Sequence, residues 1–122
     1  MKKLLVIDDD SLIRSAVSES FKDTDEVQVI EAKDGEAGLE LALSEKPDLI
    51  LLDENMPKLS GQEVIEKLRN DEWGSNVPIV AFTVNDDIGL MNKKLQAGVT
   101  EYLDKSTSSP DAVAEVLKKY LS

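Results

Sequence analysis

The sequence predicts an α/β domain: a doubly wound, five-stranded parallel sheet of order 2-1-3-4-5 with helices on both faces. Three observations carry this. Apolar runs of strand length alternate strictly with segments of helical period, the pattern of β-α units around a parallel sheet. Three runs, Leu4-Leu5-Val6-Ile7, Leu49-Ile50-Leu51-Leu52 and Ile79-Val80-Ala81-Phe82, are continuously apolar, as suits strands covered on both faces. The other two carry polar residues, Gln28 and Glu31 in one and Thr100 and Glu101 in the other, and suit the sheet edges. Right-handed crossovers then give the strand order.

The elements follow in turn. A first strand is expected over about residues 3–8. Ile13, Ala16, Val17 and Phe21 recur at helical spacing after it, with Ser11 as the N-cap. A second strand spans about 27–31, and Asp34 caps a helix from Glu36 to Leu43 in which Gly38 lowers helix propensity. The third strand covers about 48–52. Ser60 and Glu63 have capping-box spacing and open a helix bearing Val64, Ile65 and Leu68. The fourth strand covers about 78–82; Ile88, Met91 and Leu95 mark the helix after it, and Gly98 is its terminator. The last strand is expected over about 99–103. Ser109 and Pro110 read as N-cap and first residue of a final helix carrying Val113, Val116, Leu117 and Tyr120.

A chain of 122 residues, 41% hydrophobic, suits one domain over 1–122. It has no cysteine, so disulfides and thiolate metal sites are excluded. It has no histidine, which excludes imidazole catalysis, imidazole metal ligands and a phosphohistidine on this chain. The net charge of −11 opposes binding to nucleic acid or to an anionic membrane. No run approaches the roughly 20 apolar residues of a membrane span. Leu4 to Ile7, after Met1-Lys2-Lys3, is too short for a signal peptide. A cytoplasmic location is expected.

The chemistry gathers at the strand ends. The first run ends in Asp8-Asp9, the third in Asp53, the fourth in Thr83, and Lys105 follows the last. In an open parallel sheet these ends lie along one edge, where such folds bind ligands. Several carboxylates there repel one another without a cation, and Mg²⁺ takes oxygen ligands in octahedral geometry. Asp9 and Asp53 are the best direct ligands, with Asp8 acting through water and the backbone carbonyl of Asn55 completing the shell. Asp10 reads as an acidic residue favoured by the dipole of the following helix. Beside a cation, Asp53 is a candidate nucleophile towards phosphorus. The Thr83 hydroxyl and the Lys105 ammonium are candidate donors to a phosphoryl group, stabilising its charge by position and electrostatics.

These residues and their order resemble the receiver domain of bacterial two-component response regulators, a flavodoxin-like fold. Val6-Ile7-Asp8-Asp9-Asp10 resembles the family's acidic pair. Leu51-Leu52-Asp53-Glu54-Asn55-Met56-Pro57, with Gly61, resembles its phosphoacceptor motif. Ile79 to Thr83 resembles its switch-hydroxyl strand, and Ala97 to Lys105 its last strand with switch aromatic and lysine. The resemblance implies phosphorylation of Asp53 and a Mg²⁺ or Mn²⁺ site formed by Asp8, Asp9, Asp53 and Asn55. It implies phosphate contacts from Thr83 and Lys105 and a switch formed by Thr83 and Tyr102. The implied donor is a histidine kinase or phosphotransfer protein. The implied output is a downstream effector or output domain, met through the helix after the fourth strand, the last strand and the last helix. Such a domain is a signalling switch and not an enzyme on other substrates, although it catalyses its own phosphorylation and dephosphorylation. Two positions depart from the family pattern: Ser106 stands where proline usually follows the lysine, and Val84 where a smaller residue usually follows the hydroxyl.

Two alternatives stand beside it. Asp8-Asp9-Asp10 contains an Asp-x-Asp after the first strand, so a haloacid dehalogenase-like phosphatase would place the phosphoryl group on Asp8 instead. A receiver-like scaffold would take none.

Overall fold

The computed structural model describes residues 1–53, 59–83, 98–105 and 108–121. Within them the elements are β1 (Lys2–Ile7), α1 (Ser11–Ser20), β2 (Val27–Ala32), α2 (Gly35–Glu45), β3 (Leu49–Asp53), α3 (Gly61–Arg69), β4 (Ile79–Thr83), β5 (Glu101–Asp104) and α4 (Pro110–Leu121). The expected helix of Ile88, Met91 and Leu95 lies outside the described residues, as do Asn55, Met56, Pro57, Val84 and Ser106.

All strand pairs are parallel and the order is β2-β1-β3-β4-β5, as the apolar pattern predicts. Every residue of β3 is buried, whereas β2 and β5 are largely half-buried, so the polar residues did mark the edges. Side chains alternate across the pleat and build two cores. On one face Leu5, Ile7, Ile50, Leu52, Ile79 and Ala81 pack with Val64, Ile65 and Leu68 of α3 and Ala42 of α2. On the other, Leu4, Val6, Leu49, Leu51, Val80 and Phe82 pack with Val17 of α1 and Val113, Leu117 and Leu121 of α4.

Four local details differ from the sequence expectation or refine it. The N-cap of α1 is Asp10, not Ser11: Asp10 is extended and its Oδ1 accepts from the Leu12 N–H at 2.9 Å. Its carbonyl already accepts from Arg14 N–H at 3.2 Å, so Ser11 is the first helical residue. Gly38 is required by packing, since a Cβ there would stand 2.6 Å from Ile7 Cδ1. That close approach seats α2 on β1 and outweighs the lost propensity, and α2 runs past Leu43 to Glu45. β5 begins at Glu101, because Thr100 bonds Ile79 through its own Oγ1 (3.0 Å from Ile79 N) as well as through its N–H. Gly98 before it has φ +110°, a region L side chains rarely adopt. Asp34, Ser60 and Ser109 cap α2, α3 and α4 as read, each accepting from a backbone N–H three residues on.

Candidate functional site

Register fixes the site before any side chain is considered. Ile7 pairs with Leu52, so Asp8 follows on β1 where Asp53 follows on β3. Asp53 pairs with Phe82, one residue before Thr83, and Thr83 pairs with Asp104, one residue before Lys105. Four neighbouring strands therefore deliver Asp8, Asp53, Thr83 and Lys105 to one edge.

The side chains of Asp8, Asp9, Asp53 and Lys105 converge there. Carboxylate oxygens of Asp8, Asp9 and Asp53 lie within 4.8 Å of one another. Asp8 and Asp53 are only 2% and 3% exposed, while Asp9 faces solvent. The Lys105 ammonium spans the two buried acids, 3.1 Å from Asp8 Oδ2 and 3.3 Å from Asp53 Oδ2, and lies 5.5 Å from the Phe82 ring centroid. Burial alone would lower the Lys105 pKa; its bonds and charge interactions with Asp8 and Asp53 outweigh that and raise it. Asp8 is tied at every polar atom. Its N–H donates to Ala32 O (3.1 Å), its carbonyl accepts from Arg14 Nη1 (2.7 Å), and its Oδ1 accepts from Asp10 N–H (2.9 Å).

Among the described residues, three carboxylates against one ammonium leave two negative charges in excess. At an effective dielectric near 20, two carboxylates 4.8 Å apart repel by on the order of 3 kcal/mol. Octahedral Mg²⁺ at roughly 2.1 Å sets its oxygens about 3 to 4 Å apart, so small rotations of these carboxylates meet its demand. Charge, donor type and spacing all fit a hard divalent cation.

Each sequence-predicted position can now be placed. Asp8, Asp9, Asp53 and Lys105 come together. Thr83 is placed by its backbone at the end of β4. Tyr102, on β5, is half-buried and packs against the core on the α2–α3 side. Asn55 lies outside the described residues. Asp10 is the helix cap and is not in the cation cluster. Two residues that sequence reasoning passed over stand beside the cluster: Arg14, on the carbonyl of Asp8, and Glu31, bonded to Arg14 Nε at 3.3 Å. In the sequence Glu31 stood only as a polar mark of an edge strand, and Arg14 was one polar residue among several in its helix.

A doubly wound parallel sheet with a cation-ready acid cluster and a lysine at its carboxyl edge defines a phosphoryl-accepting switch domain. The chain belongs to the response regulator receiver domain family, whose model matches residues 4–117, and receivers of two-component response regulators are phosphorylation switches. It is 35% identical over 117 residues to the response regulator MprA of Mycolicibacterium vanbaalenii, covering 96% of this chain and 48% of that protein. In structure it is similar to the chemotaxis response regulator CheY4 of Vibrio cholerae (TM-score 0.88, 28% identity, 98% of each chain covered). It is also similar to the Mn(2+)-bound form of response regulator Rcp1 (TM-score 0.86, 26% identity, 100% of this chain and 96% of that one). The chain spans about half the length, or less, of the curated relatives it matches. Among the described residues no helix is long and apolar enough to cross a membrane.

Proposed function

We propose that residues 1–122 act as a single cytoplasmic receiver domain and that Asp53 is its phosphoacceptor. The observation that carries this is Asp53 itself: a buried carboxylate at a strand end, 3.3 Å from the Lys105 ammonium and within 4.8 Å of the oxygens of Asp8 and Asp9. Asp8, Asp9 and Asp53, with the Asn55 carbonyl, would hold Mg²⁺ or Mn²⁺. A bound cation would supply charge neutralisation for the phosphoryl oxygens.

The donor is the phosphohistidine of a histidine kinase or phosphotransfer protein. An Asp53 carboxylate oxygen attacks phosphorus, an O–P bond forms, the P–N bond breaks, and the imidazole leaves and takes a proton. Lys105 exchanges part of its pairing with Asp53 for a phosphoryl oxygen, and the Thr83 hydroxyl donates to another. In the reverse half, water attacks phosphorus and Asp53 departs as carboxylate. Tyr102 follows Thr83, altering the output face to which β5 and α4 contribute, where the effector or output domain binds. Phosphorylation biases that equilibrium only by its differential contacts in the two states.

The test is incubation with acetyl phosphate and Mg²⁺, then mass mapping of the acyl phosphate. One alkali-labile group on Asp53, absent in Asp53→Asn, is the expected result. Labelling of Asp8 would support the haloacid dehalogenase alternative, and no labelling at all the inert scaffold.

A further inference from the structure

Arg14 reaches the acidic turn through the backbone. Its Nη1 donates to the Asp8 carbonyl at 2.7 Å and its Nε to Glu31 Oε1 at 3.3 Å, while Ser18 Oγ donates to Glu31 Oε2 at 3.1 Å. Arg14 is mostly buried, at 18% side-chain exposure. The Asp8–Asp9 peptide is a rigid plane, so fixing the Asp8 carbonyl oxygen also fixes the direction in which Asp9 Cα departs. The same turn is also held by Asp8 N–H on Ala32 O. The last two residues of β2 thus grip the turn together, Ala32 directly and Glu31 through Arg14. A glutamate that looked like a mark of an edge strand has a second use.

We propose that Arg14, oriented by Glu31, is a positioning residue for the divalent-cation site: it sets the Asp8–Asp9 peptide so that both carboxylates converge on Asp53. This rests on the reading that Asp8, Asp9 and Asp53 bind Mg²⁺. Charge and geometry make opposite demands here. A guanidinium beside a cation site repels the cation, so as a mere charge Arg14 would weaken binding and Arg14→Met would tighten it. As a positioning group it strengthens binding, and its removal loosens the site.

The experiment is calorimetric titration of Mg²⁺ into wild type, Arg14→Met, Arg14→Lys, Glu31→Gln and Asp9→Asn, with circular dichroism of each metal-free variant to verify folding. Loss of a group that orients metal ligands typically weakens affinity by about tenfold or more, and that rise in Kd is expected for Arg14→Met. Arg14→Lys keeps the charge but not the fork that holds a carbonyl and a carboxylate at once, so its Kd should fall between the two. Glu31→Gln should loosen binding less, in the same direction. An unchanged or lower Kd in Arg14→Met overturns the positioning role while wild-type binding, weakened by Asp9→Asn, still upholds the site. If Arg14→Met does not fold, the Arg14→Lys and Glu31→Gln values decide in the same way. A wild type that takes no Mg²⁺ overturns the site itself, and this role with it.

Discussion

Two ionic clusters flank β5, one at each end, and they share almost the same residue types. At its start Glu101 accepts from Tyr120 Oη (2.5 Å) and Lys119 Nζ (3.1 Å) of α4. Just past its end Lys105 bridges Asp8 and Asp53. Among the described residues the first cluster is one acid matched to one lysine and a phenol, with Lys119 62% exposed. Solvent screening makes such an ion pair worth little, and its use is to fasten an edge strand to a helix. In the second, Asp8 and Asp53 are buried, Asp9 is exposed, and among the described residues these three carboxylates outweigh the single lysine. Removing charges from water without full compensation costs stability, so the excess is informative. A balanced exposed cluster is structural, whereas an unbalanced buried one asks for a further cation.

The largest expected effect breaks the buried cluster. Lys105→Met removes the ammonium that Asp8 and Asp53 share, a change that costs about 3 kcal/mol when one partner of a buried pair is lost. Chemical unfolding in EDTA should show that loss, and Mg²⁺ should restore more stability to the variant than to wild type. A variant as stable as wild type in EDTA would show that the site is far better solvated than its burial indicates.

The next effect separates the clusters by sign. Asp9→Asn removes one of three mutually repelling carboxylates, so it should raise the melting temperature in EDTA and shrink the gain on adding Mg²⁺. Glu101→Gln weakens a charge-assisted bond and should lower stability by about 1 kcal/mol while leaving the Mg²⁺ gain intact. Shifts of the same sign in EDTA would erase the distinction between the clusters.

The smallest effect sharpens the exposed cluster through its titration. Its bond to Glu101, burial and the nearby Glu101 charge push the Tyr120 pKa from 10.0 up to about 12. A folded pKa above the unfolded one means that the contribution is complete below pH 10 and is lost as pH rises through about 12. The Glu101 carboxyl is held below its usual 4.5, chiefly by the Tyr120 bond and then by Lys119, against an opposing effect of burial. Its contribution is present above that value and is lost as pH falls through the lowered folded pKa. In a Tyr102→Phe background, phenolate absorbance reports Tyr120 alone. The midpoint should fall towards 10.0 when Glu101→Gln is added, and a midpoint that stays near 12 would assign the shift to burial instead.

The sequence by itself determined the sheet, its order, and the gathering of Asp8, Asp9, Asp53 and Lys105. The physical reason is that both follow from periodicity. Continuous apolar runs fix which strands lie inside, parallel β-α units put all strand ends on one edge, and a strand's last residue has little choice of place. The helix boundaries at Asp34, Ser60 and Ser109 were legible for the same local reason, a side chain bonding three residues along its own chain. Tertiary structure alone decided the contacts between distant segments. Asp10 rather than Ser11 caps α1 because that turn is also held by Ala32 and Arg14. Gly38 is an approach point because Ile7 occupies the space a side chain would need. Arg69, one charge among many in the sequence, ties α3 to the turns before β4 and β5 by donating to the carbonyls of Gly74, Val77 and Gly98. Arg14, Glu31 and Glu101 gave no signal of their partners either. A long polar side chain can reach several neighbours, and which one it meets depends on packing that brings together residues with no fixed spacing along the chain.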